Sequence, residues 1–222
     1  TTMKTLLLSL VLLLSFTSLA QPPAYVPTNG LVGWWPFNGN ANDESGNGYD
    51  GSITGGQFSI DRNGTPNGGL LFTSAATGFV DINIGAQVIN EFSVMMWVRP
   101  DRAANFVGES SVCAGGVSVP MANSNQNWAM MPNNGGGASF GVGFSFGQNG
   151  VMVSEHATNI LVSRLSHSSS STDFNSIIIV YKTDSTFLYL NGNLVRSRPI
   201  YCPANNKFTG ANIRLGGSLY SP

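Results

Sequence analysis

Short stretches in which apolar and polar residues alternate recur along most of the chain, separated by clusters of Gly, Asn, Ser and Pro, and a period of two predicts strands. GLVGWWPFNGN offers Leu31, Trp35 and Phe37 to a core before Asn38-Gly39-Asn40 turns the chain, so a first strand is expected there. Residues 70–84 (LLFTSAATGFVDINI), 92–100 (FSVMMWVRP) and 176–199 (SIIIVYK, then STFLYLNGNLVRSRP) carry three further strand signals. Trp97, between Met96 and Val98, is assigned to the core. Asn191-Gly192 separates two apolar runs and predicts a type I′ hairpin, because both central residues of that turn take positive φ. SFGVGFSFG (139–147) puts Phe140, Val142, Phe144 and Phe146 on one face of another core strand, and the polar tract 166–172 reads as a solvated loop. No amphipathic helix longer than one or two turns is visible beyond the N-terminal segment, and no internal repeat. The pattern predicts an all-β sandwich or barrel.

Composition narrows the class of partner. The 222 residues make one domain, with 9% charged residues and ten Lys plus Arg against eleven Asp plus Glu. Without a basic cluster the chain has nothing to neutralise a track of phosphates or grip an anionic lipid surface, so nucleic acid and membrane surfaces are not expected partners. Met3 and Lys4, the apolar run 6–14 and Ser18-Leu19-Ala20 have the form of a secretory signal peptide over residues 1–20. The run is too short to span a bilayer, and Gln21, Pro22 and Pro23 follow at once, so no membrane insertion is expected after cleavage. A linker, 21–29, would then precede the domain, 30–222. Secretion or display at the cell surface permits a disulfide between Cys113 and Cys202, the only cysteines.

In this order, GLVGWWPFNGNANDESGNGYDG (30–51), GGLLF and GFVDI (68–82), FSVMMWVRP, IIIVYK, LYLNGNLV (188–195) and IRLGGS (213–218) resemble the LamG-like jelly-roll domain. GVMVSEHATN (150–159) is similar to a segment of such domains in secreted bacterial proteins. The resemblance implies an antiparallel β-sandwich of the concanavalin A-like jelly-roll type. It also implies a binding or adhesion module rather than an enzyme, carbohydrate being the first candidate ligand and an extracellular protein the alternative. Two departures stand out. Ser176 replaces a customary Trp, and the family's closing strand after the IRLGGS segment is missing, which suggests a C-terminally incomplete domain of a longer polypeptide with an unpaired edge.

The chemistry-bearing residues are few. The chain has two histidines, His156 and His167, and no HExxH, GxSxG, P-loop or CxxC spacing. The E-x-D-x-E strand of laminarinase-type enzymes is also absent, and Asp81 stands alone on its strand, so a glycoside hydrolase assembled from distant carboxylates is a minor alternative. Glu155 and His156 are adjacent and would point to opposite faces of a strand. NDESGNGYDG (42–51) gathers oxygen ligands in a Gly-rich turn, where Asp43 and Asn47 are candidates for a structural Ca²⁺; an Asx turn capped by Asp43 is the equal alternative. A ring can stack on a sugar while amides bind its hydroxyls, which makes Trp128, Asn125 and Asn127 in the loop NSNQNWAMMPNN, with Tyr49, the candidate carbohydrate site. Trp34 or Trp35, Tyr189 and Tyr201 are further aromatic candidates.

Overall fold

A computed structural model describes residues 22–72, 78–89, 91–105, 109, 128–131, 141–157, 160–199 and 208–216. The described residues form thirteen strands and no helix. They are β1 (Gly51–Thr54), β2 (Gln57–Ser59), β3 (Gly69–Leu71), β4 (Phe79–Ile89), β5 (Phe92–Val98), β6 (Trp128–Met131) and β7 (Gly141–Gly147). β8 (Gly150–Ala157), β9 (Ile160–Ser168), β10 (Asn175–Tyr181), β11 (Ser185–Leu190), β12 (Asn193–Pro199) and β13 (Phe208–Gly216) complete the set. One sheet has seven strands in the order β1-β4-β13-β6-β7-β8-β9, the other four in the order β12-β11-β10-β5, and β2 and β3 form a separate hairpin. Every pairing is antiparallel. The protein is an antiparallel β-sandwich of the jelly-roll type, and among the described residues no helix is long and apolar enough to cross a membrane.

Alternation builds the interior. Val80, Ile82 and Ile84 of β4, Val142, Phe144 and Phe146 of β7 and Val151 and Val153 of β8 turn inward from the larger sheet, each at most 3% exposed. Ile177, Ile179 and Tyr181 of β10 and Leu188 of β11 meet them from the smaller sheet, all buried. The Tyr181 ring stacks on Phe92 with centroids 5.4 Å apart. Asn191 and Gly192 have φ of 50° and 81°, so the turn between β11 and β12 has the expected positive φ at both central residues. The Asn191 side chain then continues the sheet. Its Oδ1 accepts from Ser176 N at 2.9 Å and its Nδ2 donates to Asn175 Oδ1 at 2.8 Å.

Three expectations need correction. Residues 30–40 form no strand, and the first regular strand among the described residues is β1. The Trp34 amide donates to Asp43 Oδ1, its carbonyl accepts from Glu44 N, and positive φ at Phe37 and Gly39 breaks any extension, so no ladder can form. Trp35 and Phe37 still pack against the core, and Trp35 Nε1 donates to Tyr49 O at 2.8 Å. The polar tract expected as a loop from 166 begins inside β9, which runs to Ser168. Trp97 is not in the core. It is 42% exposed on the outer face of β5, with the Arg62 guanidinium 4.4 Å from its ring centroid.

Glu109 ties the two sheets together at one edge. Its Oε1 accepts from Ser166 N of β9 at 2.8 Å and from Arg196 Nε of β12 at 3.0 Å, while Oε2 accepts from Arg196 Nη2 and Arg198 Nη1 at 2.6 and 3.0 Å. Partial burial alone would raise this carboxyl, but these hydrogen bonds and the two guanidinium charges outweigh it and hold it below its ordinary value.

Candidate functional site

On β4 the sequence FVDINI sends Val80, Ile82 and Ile84 inward, which leaves Phe79, Asp81 and Asn83 on the outer face of the larger sheet. On β13 the sequence NIRL does the same, with Ile213 and Leu215 inward and Asn212 and Arg214 outward. The antiparallel register sets Arg214 opposite Asp81 and Asn212 opposite Asn83, and β1 adds Ser52 beside Asp81 and Thr54 beside Phe79. A register shift between Gly210 and Asn212 flanks the group, as does the positive φ of Gly85, whose amide donates to Asn83 Oδ1 at 2.8 Å.

Arg214 grips Asp81 with both arms: Nε to Oδ1 and Nη2 to Oδ2 are each 2.6 Å. The guanidinium lies over Phe79 with its carbon 3.9 Å from the ring centroid. Its bond to Asp81 holds Arg214 above its ordinary pKa, so the guanidinium keeps its charge. Both side chains remain about two-fifths exposed, at 36% and 41%. The patch therefore offers donors from Arg214 Nη1 and the Asn83 and Asn212 amides. It offers acceptors from the outward lone pairs of Asp81, and hydroxyls from Ser52 and Thr54. A sugar hydroxyl both donates and accepts, and this mixed set of donors and acceptors can satisfy both functions at once.

The residues singled out from sequence lie elsewhere. Trp128 does not sit in an exposed loop: it begins β6, is 5% exposed and lies beside Ser145 of β7, so its ring presents no face to a sugar. Tyr49 packs half-buried against the core, its backbone fixed by Asp43 and Trp35. Asn125, Asn127, Tyr201, Cys113 and Cys202 lie outside the described residues. Glu155 and His156 are consecutive on β8, opposite Val142 and Gly141 of β7.

The donor set around Asp43 does not fit a cation. Oδ1 accepts from Trp34 N and Ser45 N, each at 2.9 Å, and Oδ2 accepts from Ser45 Oγ at 2.8 Å and Tyr49 N at 3.1 Å. All four lone-pair directions of the carboxylate are used, so a metal would have to displace a donor. Partial burial would raise the carboxyl, but these four bonds outweigh it and hold it low. Asn47 turns its Nδ2 onto the carbonyls of Leu31 and Val32 at 2.9 and 3.0 Å and acts as a clamp on the loop. Among the described residues no group of three or more His, Cys, Asp or Glu could hold a metal ion.

No family model matches the chain. No curated protein does either. Solved structures do match. The binding domain of Paraclostridial Mosquitocidal Protein 1 aligns with a TM-score of 0.51 at 14% identity, over 80% of this chain and 42% of that one. Domain 4 of the extracellular arabinanase AbnA from Geobacillus stearothermophilus, solved with arabinotriose, aligns with a TM-score of 0.49 at 15% identity, over 86% and 85% of the two chains. The laminarinase catalytic domain from Thermotoga maritima aligns with a TM-score of 0.39 at 14% identity, over 77% and 68%. The first of these likenesses agrees with the sandwich fold, and this chain spans less than half of that domain's length.

Proposed function

We propose that this chain is a non-catalytic, LamG-like carbohydrate-binding module of a secreted or surface-displayed protein. It binds a neutral glycan on the outer face of the larger sheet. One observation carries the reading: the Asp81–Arg214 pair with its guanidinium over Phe79, and the exposed amides of Asn83 and Asn212 beside it. The pair is neutral as a unit, so it selects for hydroxyl patterns rather than for charge. A hydrolase needs a carboxylic acid free to give up its proton to the leaving group. Asp81 is committed to a bidentate bond with a guanidinium and is poorly suited to that task. The binding domain of the mosquitocidal protein has the same fold, which supports a binding role.

A screen of soluble and insoluble polysaccharides, run with Ca²⁺ and again with EDTA, tests the proposal. The expected result is saturable retention by at least one neutral polysaccharide, indifferent to EDTA, lost in Arg214→Ala and without release of reducing sugar. Retention that survives both Arg214→Ala and Asn212→Ala would move the site elsewhere, and release of reducing sugar would make the protein an enzyme.

A further inference from the structure

The outer face of the smaller sheet is apolar where a solvated antiparallel sheet is usually polar. One cross-strand row, Met95, Ile178, Tyr189 and Leu194, runs through all four strands. Met95 and Leu194, at its two ends, are 58% and 53% exposed. Exposed apolar side chains scattered singly are ordinary, but a continuous row with Trp97 beside it marks a contact surface.

The charges bordering this row have a symmetry. Of β5's own outward positions only Glu91, just before the strand, and Arg99, just after it, are charged, both exposed and each four residues from Met95, and Arg62 adds a second base over Trp97 on the Arg99 side. Glu91 Oε1 accepts from Thr183 N and Oγ1, and Arg99 sits 4.9 Å over Phe174, so both are held near the sheet. On the line of β10, Lys182 lies at the Glu91 end and Phe174 at the Arg99 end, each four residues from Ile178.

We propose that this face is the interface of a homodimer, two copies packed back to back about a two-fold axis along the Met95–Leu194 row. That axis sets β5 of one copy antiparallel over β5 of the other. Met95 meets Met95, and Glu91 meets the partner's Arg99. An isologous interface must match itself, and a pattern of acid, apolar centre and base about a central residue does so, whereas a surface of one sign repels its copy. An unrelated partner would give no reason for the charges to be equidistant from Met95. Four strands about 4.8 Å apart and seven residues of about 3.3 Å give each copy a platform near 440 Å², and the pair roughly 900 Å². That is below the roughly 1,200 Å² at which stable specific interfaces begin, so the dimer is weak and concentration-dependent. In such a dimer the two larger sheets face opposite ways, and on the reading above two glycan sites would cross-link separate strands of polysaccharide.

Sedimentation velocity on the purified chain, from about 5 µM to about 500 µM, tests this independently of any glycan. The sedimentation coefficient of the wild type should rise from the monomer value toward the dimer value. Met95→Lys, which places two ammonium groups on the axis, should weaken the dimer about 100-fold, and Glu91→Arg about 10-fold. The double variant Glu91→Arg/Arg99→Glu reverses both charges in both copies and should return to within about threefold of the wild type. A wild type that stays monomeric throughout overturns the proposal and leaves the face to a partner of different sequence. A dimer unaffected by Met95→Lys, or a charge-swapped pair no better than Glu91→Arg alone, overturns it as well. Should Met95→Lys fail to keep the wild-type melting temperature, the charge swap, made at two exposed positions, decides the matter.

Discussion

The two sheets present opposite chemistry to solvent from the same inner pattern. On the larger sheet, β4 and β13 carry Asp81, Asn83, Asn212 and Arg214 on their outward positions, a cluster rich in donors and acceptors with a single ring, Phe79, beneath it. On the smaller sheet, β5, β10, β11 and β12 carry Met95, Ile178, Tyr189 and Leu194 on theirs, an uncharged row with Glu91 and Arg99 at its margins and Arg62 over the neighbouring Trp97. The inward positions are constrained alike by packing, so the outward ones are where the faces can differ. A polar face with planar, fixed groups is suited to hydroxyl recognition. An apolar face gains free energy only by losing water to another surface. On the two proposals above, one sandwich would serve a ligand on one side and a partner on the other, each face alterable without the other.

The strongest way to break the comparison is to remove what the faces share. Phe144 is fully buried between the sheets, and Phe144→Ala should cost about 3–5 kcal/mol, abolishing both glycan retention and dimerisation. Thermal unfolding by circular dichroism measures it. A smaller loss is expected at Asp43, whose four hydrogen bonds organise the loop that seats Trp35. Asp43→Ala strands those donors and should cost about 2 kcal/mol, again visible in the melting temperature. Asp43 and Glu109 are both held low in the folded state, so their stabilisation is complete above the ordinary carboxylate range. It is lost as the pH falls through their folded-state values. The wild type should therefore lose stability steeply below about pH 4, and Asp43→Asn should show a shallower loss over the same interval. Added Ca²⁺ should leave the wild-type melting temperature unchanged, since Asp43 has no lone pair to spare.

Local patterns made much of the fold legible. The alternation in SFGVGFSFG places Val142, Phe144 and Phe146 inside, and Asn191-Gly192 has positive φ at both residues, because each depends on neighbours in sequence. Residues 30–40 also alternate, but side chains there compete for the backbone: Asp43 takes the Trp34 amide that a strand would have given to a ladder. Trp97 looks like core because an outward position on β5 has the same apolar character as an inward one, and only the sheet pairing distinguishes them. The candidate site was least legible. Asp81 and Arg214 are 133 residues apart, so nothing near Asp81 announces a partner. Its one signal is that VDINI and NIRLG carry polar groups at alternate positions, which would match if the strands were known to pair.

Arg214→Ala separates the two faces directly. It removes a charged donor and frees Asp81, and should weaken glycan retention about 10- to 100-fold on affinity electrophoresis, the equivalent of one or two charge-assisted hydrogen bonds. The same variant should dimerise as the wild type does, while Met95→Lys should do the reverse and leave the affinity of each site unchanged.

The smallest effect is the one that decides what the Asp81–Arg214 pair is for. Both side chains are more than a third exposed, and an ion pair so open to water contributes about 0–1 kcal/mol, because solvent screens it and ordering two side chains costs entropy. A double-mutant cycle of Asp81→Ala and Arg214→Ala, followed by urea unfolding, should therefore give a coupling below about 1 kcal/mol that shrinks further in high salt. A coupling near zero beside a large loss of glycan retention would mean that the pair is held for its ligand. A coupling well above 1 kcal/mol would make it a clamp between β4 and β13, and the distinction between a ligand face and a partner face would lose its polar half.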